Sequence, residues 1–445
     1  MPSRTDLVDR LPLLGYVLAA LLAGLAGVAG SFAVASFTPA FVAGPIAGFL
    51  ARRLPGPVVT FGIVVLGDLG DQLNVFVALV LATTLFAGAA VVGFAAARRA
   101  DGPLAGPVAA AATTVVALVI TGAPTASVAA GLSTGVVVAV ADFAASRGLL
   151  TALDPRVSGS SPERRRVLGA IAAALPLVVG GFVLGSRSRP DASSTGTPLD
   201  VGTPWVGSDV DALLAEATEK SLVVEGLEPL VSDDFYEVDI NSTDPTLDAA
   251  EWSLTVTGAV DREVSYSYED IATREPEHRF VSLRCVGESL NGKKLDNALW
   301  TGIPIMDLVE PAGLPEGCCV MFRAADGFYE EFPLSALRDG FLAFGMNGDV
   351  LPTGHGYPAR ALIPGHWGEI NVKWLTEVEI LEQEEDGYWE KRGWHGTGPV
   401  NTVAKLHVVN DLDDGRKQVA GHAYAGTRGI ERVEVSTDGG GTWTD

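Results

Sequence analysis

Two regimes of hydrophobic pattern divide the chain. Leu11 to Ala51, Gln72 to Ala97 and Gly102 to Ala141 hold no charged residue, and an α-helix needs about 20 apolar residues to cross hydrocarbon. These runs, with an apolar stretch after Arg166, predict five spanning helices at 11–36, 72–97, 104–121, 124–146 and 167–184. The piece 38–70 carries Pro39, Pro45, Pro55, Pro57, Arg52 and Arg53. It reads as a re-entrant or interfacial segment, with six or seven spans as the alternative. Beyond residue 186 the pattern changes. SRSRPDASSTGTPLDVGTPWVGSD at 186–209 is a Ser-, Gly- and Pro-rich linker, and Val210 to Lys220 is a short amphipathic helix. WSLTVTGAV from Trp252, RFVSL from Arg279, CCVMFRA from Cys318, ALIPG from Ala361 and VKWLTEVEIL from Val372 then read as strands between Gly and Pro turns.

Charge sharpens this division. The chain has 445 residues with a mean hydropathy of +0.28, high for a soluble protein. Residues 1–189 hold 13 Arg, no Lys and 8 acids, which leaves 18 bases and 46 acids for the remainder. A membrane part is thus joined to a strongly acidic soluble part. Such acidity excludes nucleic acid as a partner and suits a surface kept soluble in strong brine. Arg98, Arg99, Arg147, Arg156 and Arg164 to Arg166 fall in loops that five spans place on the side of the N-terminus. By the positive-inside rule that side is the cytoplasm, and everything after the fifth span is delivered to the outside. Arg164 to Arg166 followed by VLGAIAAALPLVVGGFVLG also reads as an internal twin-arginine export signal. The positive-inside rule alone accounts for the same arginines.

Of three cysteines, Cys318 and Cys319 are adjacent in a hydrophobic run and read as buried strand residues rather than a vicinal disulfide or a metal pair. Cys285 sits where the run RFVSL gives way to a loop with Gly287 two residues on. A thiolate there is a soft metal donor, and the glycine lets backbone approach a bulky ligand.

LRCVG, NALWTGIPIMDLVEPAGLP, AADGFYEEFPL and LAFGMNGDVLPTGHGYPARALIPGHWGEINVKWLTEVEI, in that order, resemble the sulfite oxidase family of molybdopterin enzymes over about residues 232–445. The resemblance implies an α+β domain holding molybdenum with one pyranopterin (molybdopterin) group, with Cys285 as the metal's protein ligand. It implies that Tyr236, Glu237, Asp326, His355, Arg360, Asn371, Val372 and Lys373 contact the pterin. Arg and Lys suit its phosphate. Three departures bear on the substrate. The segment Tyr236 to Asp239 has no Arg for an oxyanion, and Glu288 and Ser289 stand where animal members have Asn-Arg-Arg. In GYWEKRGW, Trp389 and Arg392 match while Trp394 replaces the active-site Tyr. An indole donates a hydrogen bond but accepts no proton as a phenolate does.

The expectation is therefore a multi-span α-helical membrane domain (1–185), a linker (186–209), an α+β sulfite-oxidase-type molybdopterin domain (210–397) and a partial all-β immunoglobulin-like dimerisation domain (398–445). The last holds about half of a sandwich's usual 100 residues, so the chain reads as cut short there, with a homodimer through this domain as a possible assembly. The implied function is two-electron oxygen-atom transfer on a small sulfur-containing or similar molecule at the outer face of the cell membrane. Cys285, Trp394 and Arg392 are the candidate catalytic residues. The contrasting reading is a membrane-tethered, non-catalytic binding protein that keeps the fold without the cofactor. The membrane part has no His or Cys, and Met1 is its only Met. Haem needs an axial side chain of that kind, so no haem is expected, and electrons pass to a separate electron-transfer protein or to quinone.

Overall fold

The computed structural model describes residues 4–99, 103–147, 162–187, 208–314 and 318–445. They divide into two compact units, one made chiefly of the helices up to Arg187 and one of most of the chain from Ser208 onward.

The first unit contains helices α1 (Arg4–Ala35), α2 (Ala43–Arg53), α3 (Gly56–Phe61, continued by a π turn at Gly62–Leu66), α4 (Asp68–Arg99), α5 (Ala105–Thr121), α6 (Pro124–Arg147) and α7 (Pro162–Arg187). Four of them contain segments long and apolar enough to cross a membrane: Leu14–Ala35, Leu69–Arg99, Pro124–Ser146 and Arg164–Arg187. The expected span at 104–121, helix α5, is apolar but only 17 residues long. The Pro-broken piece forms two helical segments bent by 115°, in keeping with a re-entrant or broken span. The helices meet through small residues, as helices do where close backbone approach drives packing. Ala19, Ala23, Ala26, Ala170 and Ala174 are buried, and a Cβ added at Gly181 would lie 2.5 Å from the Ala29 carbonyl oxygen. Leu132, Leu175 and Phe182 face outward and exposed, an apolar outer surface of the kind lipid covers.

In the second unit, helix α8 (Ser208–Lys220) matches the expected amphipathic segment, while 188–207 of the linker lies outside the described residues. Two five-stranded sheets follow. One has the order β2-β1-β10-β5-β6, formed by Val264–Ser267, Ser253–Gly258, Leu375–Leu381, Cys319–Ala324 and Tyr329–Pro333. Within it only β1 and β10 pair in parallel. The other runs β3 (Glu277–Arg284), β4 (Leu295–Pro304), β7 (Phe341–Met346) and β8 (Asp349–Val350), with β9 (Arg360–Leu362) also paired to β7. Strand β4 is buried along nearly its whole length, as a strand covered on both faces must be. Leu254, Val256, Phe322, Phe332, Val378 and Ile380 from the first sheet share one core with Ile303, Leu342 and Phe344 from the second. A smaller core around Phe235, Val281, Leu283 and Trp300 backs the end of β3. Trp300 is fully buried and donates its indole N–H to the Val281 carbonyl at 3.0 Å, which satisfies a polar atom that burial would otherwise penalise.

One expectation changes. Cys318 and Cys319 form a vicinal disulfide rather than two free buried thiols; only Cys319 lies in strand β5 and is buried, while Cys318 precedes the strand and is exposed. After residue 398 the described chain forms one antiparallel hairpin, β11 (Val403–Asp411) and β12 (Lys417–Tyr424), and an isolated bridge between Val435 and Thr444.

Candidate active site

Strand β3 ends at Arg284, and Cys285 is the first residue of the loop that follows. Its N–H donates to the Lys294 carbonyl at 3.0 Å, which closes the loop 286–293, and its carbonyl accepts from the Glu288 N–H at 3.2 Å. The thiol is free. Burial pushes its pKa up, against the opposing pull of the Gly287 N–H and Lys294, and the charges of Glu288 and Glu369 push it further. As the protein stands Cys285 is a neutral thiol, and holding it as thiolate at neutral pH takes a bound cation.

Tyr236 stands beside it. Its backbone N–H donates to Asp296 Oδ2 at 2.7 Å, and burial, then the field of Cys285, holds its phenol well above the usual range. A Cβ at Gly368 would lie 2.9 Å from Tyr236 Oη and 3.1 Å from the Arg284 carbonyl oxygen, so the turn Gly368–Ile370 closes on the Cys285 loop only with glycine there.

The second block of motifs folds into a turn furnished with cations. Arg360 on β9 is buried; its Nη1 donates to the His355 carbonyl at 3.1 Å and its Nη2 to the Asn371 carbonyl at 2.8 Å. Lys373 Nζ donates to the Gly354 carbonyl at 2.7 Å. Gly356 makes the approach possible. Its φ of +112° suits glycine alone, and an added Cβ would lie 3.0 Å from Arg360 Cβ and 3.1 Å from Lys373 Cα. Burial, then Arg360 and Lys373, depresses His355 to about 3. The imidazole is therefore neutral, and its 3.7 Å approach to Glu237 Oε1 is not an ion pair at neutral pH. Phe235 holds the His355 ring edge-on at 5.4 Å between centroids.

The other expected residues fall around this core. The Asn371 side chain accepts from the Ile363 N–H at 2.7 Å and donates to the Trp367 carbonyl at 2.8 Å, so it stitches the turn together. Val372 is buried in the main core. Asp326 caps the β5–β6 hairpin by accepting from the Phe328 N–H at 2.9 Å, and the neighbouring Ala325 N–H donates to the Trp374 carbonyl. Arg392 lies over the Tyr388 ring at 3.5 Å and donates to its carbonyl. Trp394 packs edge-on against Trp389, and its indole nitrogen is buried with no hydrogen-bond partner among the described residues.

Sequence reasoning missed two groups of charges. The first is a buried triad in which Glu288 Oε1 receives Lys405 Nζ at 3.0 Å and Oε2 receives Arg284 Nε at 3.3 Å, while the Lys294 N–H also donates to Oε1 at 2.6 Å. Lys405 comes from β11, more than 100 residues away, and no local pattern links it to Glu288. The second group is acidic. Glu330 on β6 is fully buried and shares with Glu390 the space that Gly387 leaves open, and Glu369 is close enough for its charge to act on Glu330. Burial first, and then Glu390, raises Glu330; burial and Glu390 push Glu369 up to about 8. The alternation along β6 held the only signal, a Glu at an inward position of a strand.

A free thiol at a strand end, a guanidinium and an ammonium on one tight turn, and glycines at 354, 356 and 368 where a Cβ would collide with Glu237, Arg360 or Tyr236 make a donor set suited to a sulfur-ligated metal with an anionic organic group.

A family profile described as "Oxidoreductase molybdopterin binding domain" matches residues 240–389. The uncharacterized oxidoreductase YuiH of Bacillus subtilis is 30% identical over 154 residues, which cover 34% of this chain and 76% of that protein. Sulfite oxidase of Arabidopsis thaliana is 26% identical over 249 residues, 44% of this chain and 63% of that one. An NADH nitrate reductase of Brassica napus is 25% identical over 268 residues, 46% of this chain and 29% of that one. The chain thus spans less than two thirds of these last two relatives. The profile match and these similarities assign a molybdopterin-binding oxidoreductase domain to residues 240–389. The chain belongs to the sulfite oxidase family, and apolar helices precede its molybdopterin-type domain.

Proposed function

We propose that the protein is a membrane-anchored molybdenum-pyranopterin enzyme that carries out two-electron oxygen-atom transfer on a small, uncharged sulfur compound such as a sulfoxide at the outer face of the membrane. The observation that carries this reading is the pairing of the free Cys285 thiol with the cation-bearing turn of His355, Arg360 and Lys373. When bound, the metal supplies a site that takes or gives an oxygen atom with a pair of electrons. Cys285 would ligate the metal, Arg360 and Lys373 would hold the phosphate, and neutral His355, Tyr236 and the backbone of Asn371 and Val372 would meet the pterin edge.

The carboxylate of Glu288 acts on Cys285, and residues 233–239 hold no arginine. Both features disfavour a dianion such as sulfite and support an uncharged oxygen carrier. Electrons would leave or arrive through a separate carrier protein or quinone. Elemental analysis and pterin fluorescence of the purified chain test the reading: about one molybdenum and one pterin per chain are expected, and a protein with neither, after expression in a host that makes the cofactor, would refute it.

A further inference from the structure

The buried carboxylates have no task in the binding scheme above, yet they form an ordered series. Glu369, on the turn Gly368–Ile370, lies near Val286, the residue after Cys285: a Cβ at Gly396 would sit 1.9 Å from Glu369 Oε1 and 2.5 Å from Val286 Cγ2. The same turn packs against β6, which carries Glu330. A Cβ at Gly387 would overlap Glu330 Oε1 and lie 2.7 Å from Glu390 Oε2, so this glycine leaves room for two carboxyls to meet. As carboxylates, neither oxygen of Glu390 has a donor within reach among the described residues; a proton held by Glu330 gives one of them a donor. Next on β6, Glu331 donates its N–H to Glu330 Oε1 at 3.3 Å, and the charges of Glu384, Glu390 and Asp386 act on it. Glu384 and Asp386 belong to the exposed loop 382–386.

We propose that Glu369 and the Glu390–Glu330 pair form a proton relay that serves the Cys285 pocket from the side of the acidic surface loop 382–386. This rests on the oxygen-transfer function proposed above. In sulfoxide reduction the S–O bond breaks, the oxygen leaves as water, and the two electrons come from the external carrier; two protons must enter for each turnover. A neutral carboxylic acid can give up its proton and be refilled from behind without a charge stranded in the protein. The environment of each group fits. Burial raises Glu330 and Glu369. The charged groups near the pair are Glu369, Glu331 on the opposite face of β6 and, on the turn of Glu390 itself, Lys391 and Arg392; Lys391 Nζ is on Tyr329 Oη at 3.2 Å and Arg392 on Tyr388.

The test uses the full-length, molybdenum-loaded protein, with dimethyl sulfoxide as oxygen donor and a reduced viologen dye as electron donor, in wild type, Glu330→Gln and Glu369→Gln. Glutamine keeps the shape and holds no transferable proton. Each variant should keep wild-type molybdenum and pterin content and KM, lose roughly 10²-fold in kcat, show an enlarged solvent deuterium isotope effect, and recover with added acetic acid. A separate readout needs no turnover: the infrared carbonyl band of protonated carboxylic acids should be present in the wild type at pH 7 and diminished in Glu330→Gln. Loaded variants with wild-type kcat and isotope effect, or a wild type with no such band, overturn the relay. A chain that binds no molybdenum overturns the functional reading instead, and the infrared band then still tells whether the acids are neutral. If Glu330→Gln fails to fold, Glu369→Gln, on a part-exposed turn, decides the kinetic outcome.

Discussion

At Cys285, replacement by serine exchanges a soft sulfur donor for a hard oxygen while Arg360, His355 and Lys373 keep their places on the turn. Cys285→Ser should retain pterin and most of the molybdenum yet lose turnover; activity assays beside metal and pterin analysis check this, and an active variant removes Cys285 from the site. His355 gives a prediction without cofactor. Its imidazole titrates near 6.5 when exposed and is depressed to about 3 in the fold. The unfolded chain thus binds a proton that the folded chain refuses between those values. Stability from this residue is full above about pH 6.5 and is lost as pH falls toward 3. Glu369, raised to about 8, has the opposite sign: its contribution is full below the ordinary carboxyl value and declines as pH rises through 8. Melting temperatures of His355→Asn and Glu369→Gln should therefore approach or exceed wild type at opposite ends of the pH range, the first in acid and the second above pH 8. Cys285 and His355 were legible because short local motifs surround them. Glu288 and Glu330 were not, since an acid in a sequence gives no sign of burial until its partner, Lys405 or Glu390, is brought from another element.

Strand β3 and hairpin β11–β12 meet at the Glu288 triad. Glu288 and Lys405 are both almost completely buried, with 1% of each side chain exposed, and Tyr424 on β12 donates to the Ser282 carbonyl on β3 at 3.0 Å. The hairpin is thus fastened to the strand that presents Cys285. Removing one partner of a buried ion pair leaves an uncompensated charge, which typically costs roughly 3–5 kcal/mol. Lys405→Met should lower stability by that order in urea unfolding and, by loosening the 286–293 loop, weaken metal retention; unchanged unfolding would show that Arg284 alone sustains Glu288. At this scale the strands after Trp252 were readable from alternation and turn residues, and the Cys285 strand end fell where expected. The β-type sequence after Pro399 supplies the hairpin β11–β12. The Cys318–Cys319 pair was read as two buried strand residues, whereas Cys318 lies exposed just before β5 and is bonded to Cys319.

For the molecule as a whole, the helices and the sheets belong to separate units, and the uneven charge between them was plain in composition: all basic residues before 189 are arginines, and most of the acids lie after it. Span number was less legible, because α5 is 17 residues and the α2–α3 pair bends by 115°; hydropathy does not say whether such pieces cross the bilayer. Cofactor content of the helical unit follows from residue types. With no His or Cys and Tyr16 as its lone Tyr, it is expected to carry no haem; a Soret band in the intact chain that vanishes on deleting residues 1–189 would contradict this. Topology depends on the parity of the spans. If α1, α4, α5, α6 and α7 all cross, then Arg98, Arg99 and Arg164 to Arg166 share the cytoplasmic side with the N-terminus, in keeping with the arginine bias, and the molybdopterin-type domain emerges outside. If α5 does not cross, or the bent pair adds one span, the parity changes and the domain lies inside, on the same side as the N-terminus. Protease added to intact cells, cutting in the Ser-, Gly- and Pro-rich stretch 186–209, should release a soluble fragment that retains the molybdenum and the Cys285 loop. Release only from inverted vesicles would assign the domain to the cytoplasm, which requires an even number of crossings and a partner for electrons on that side.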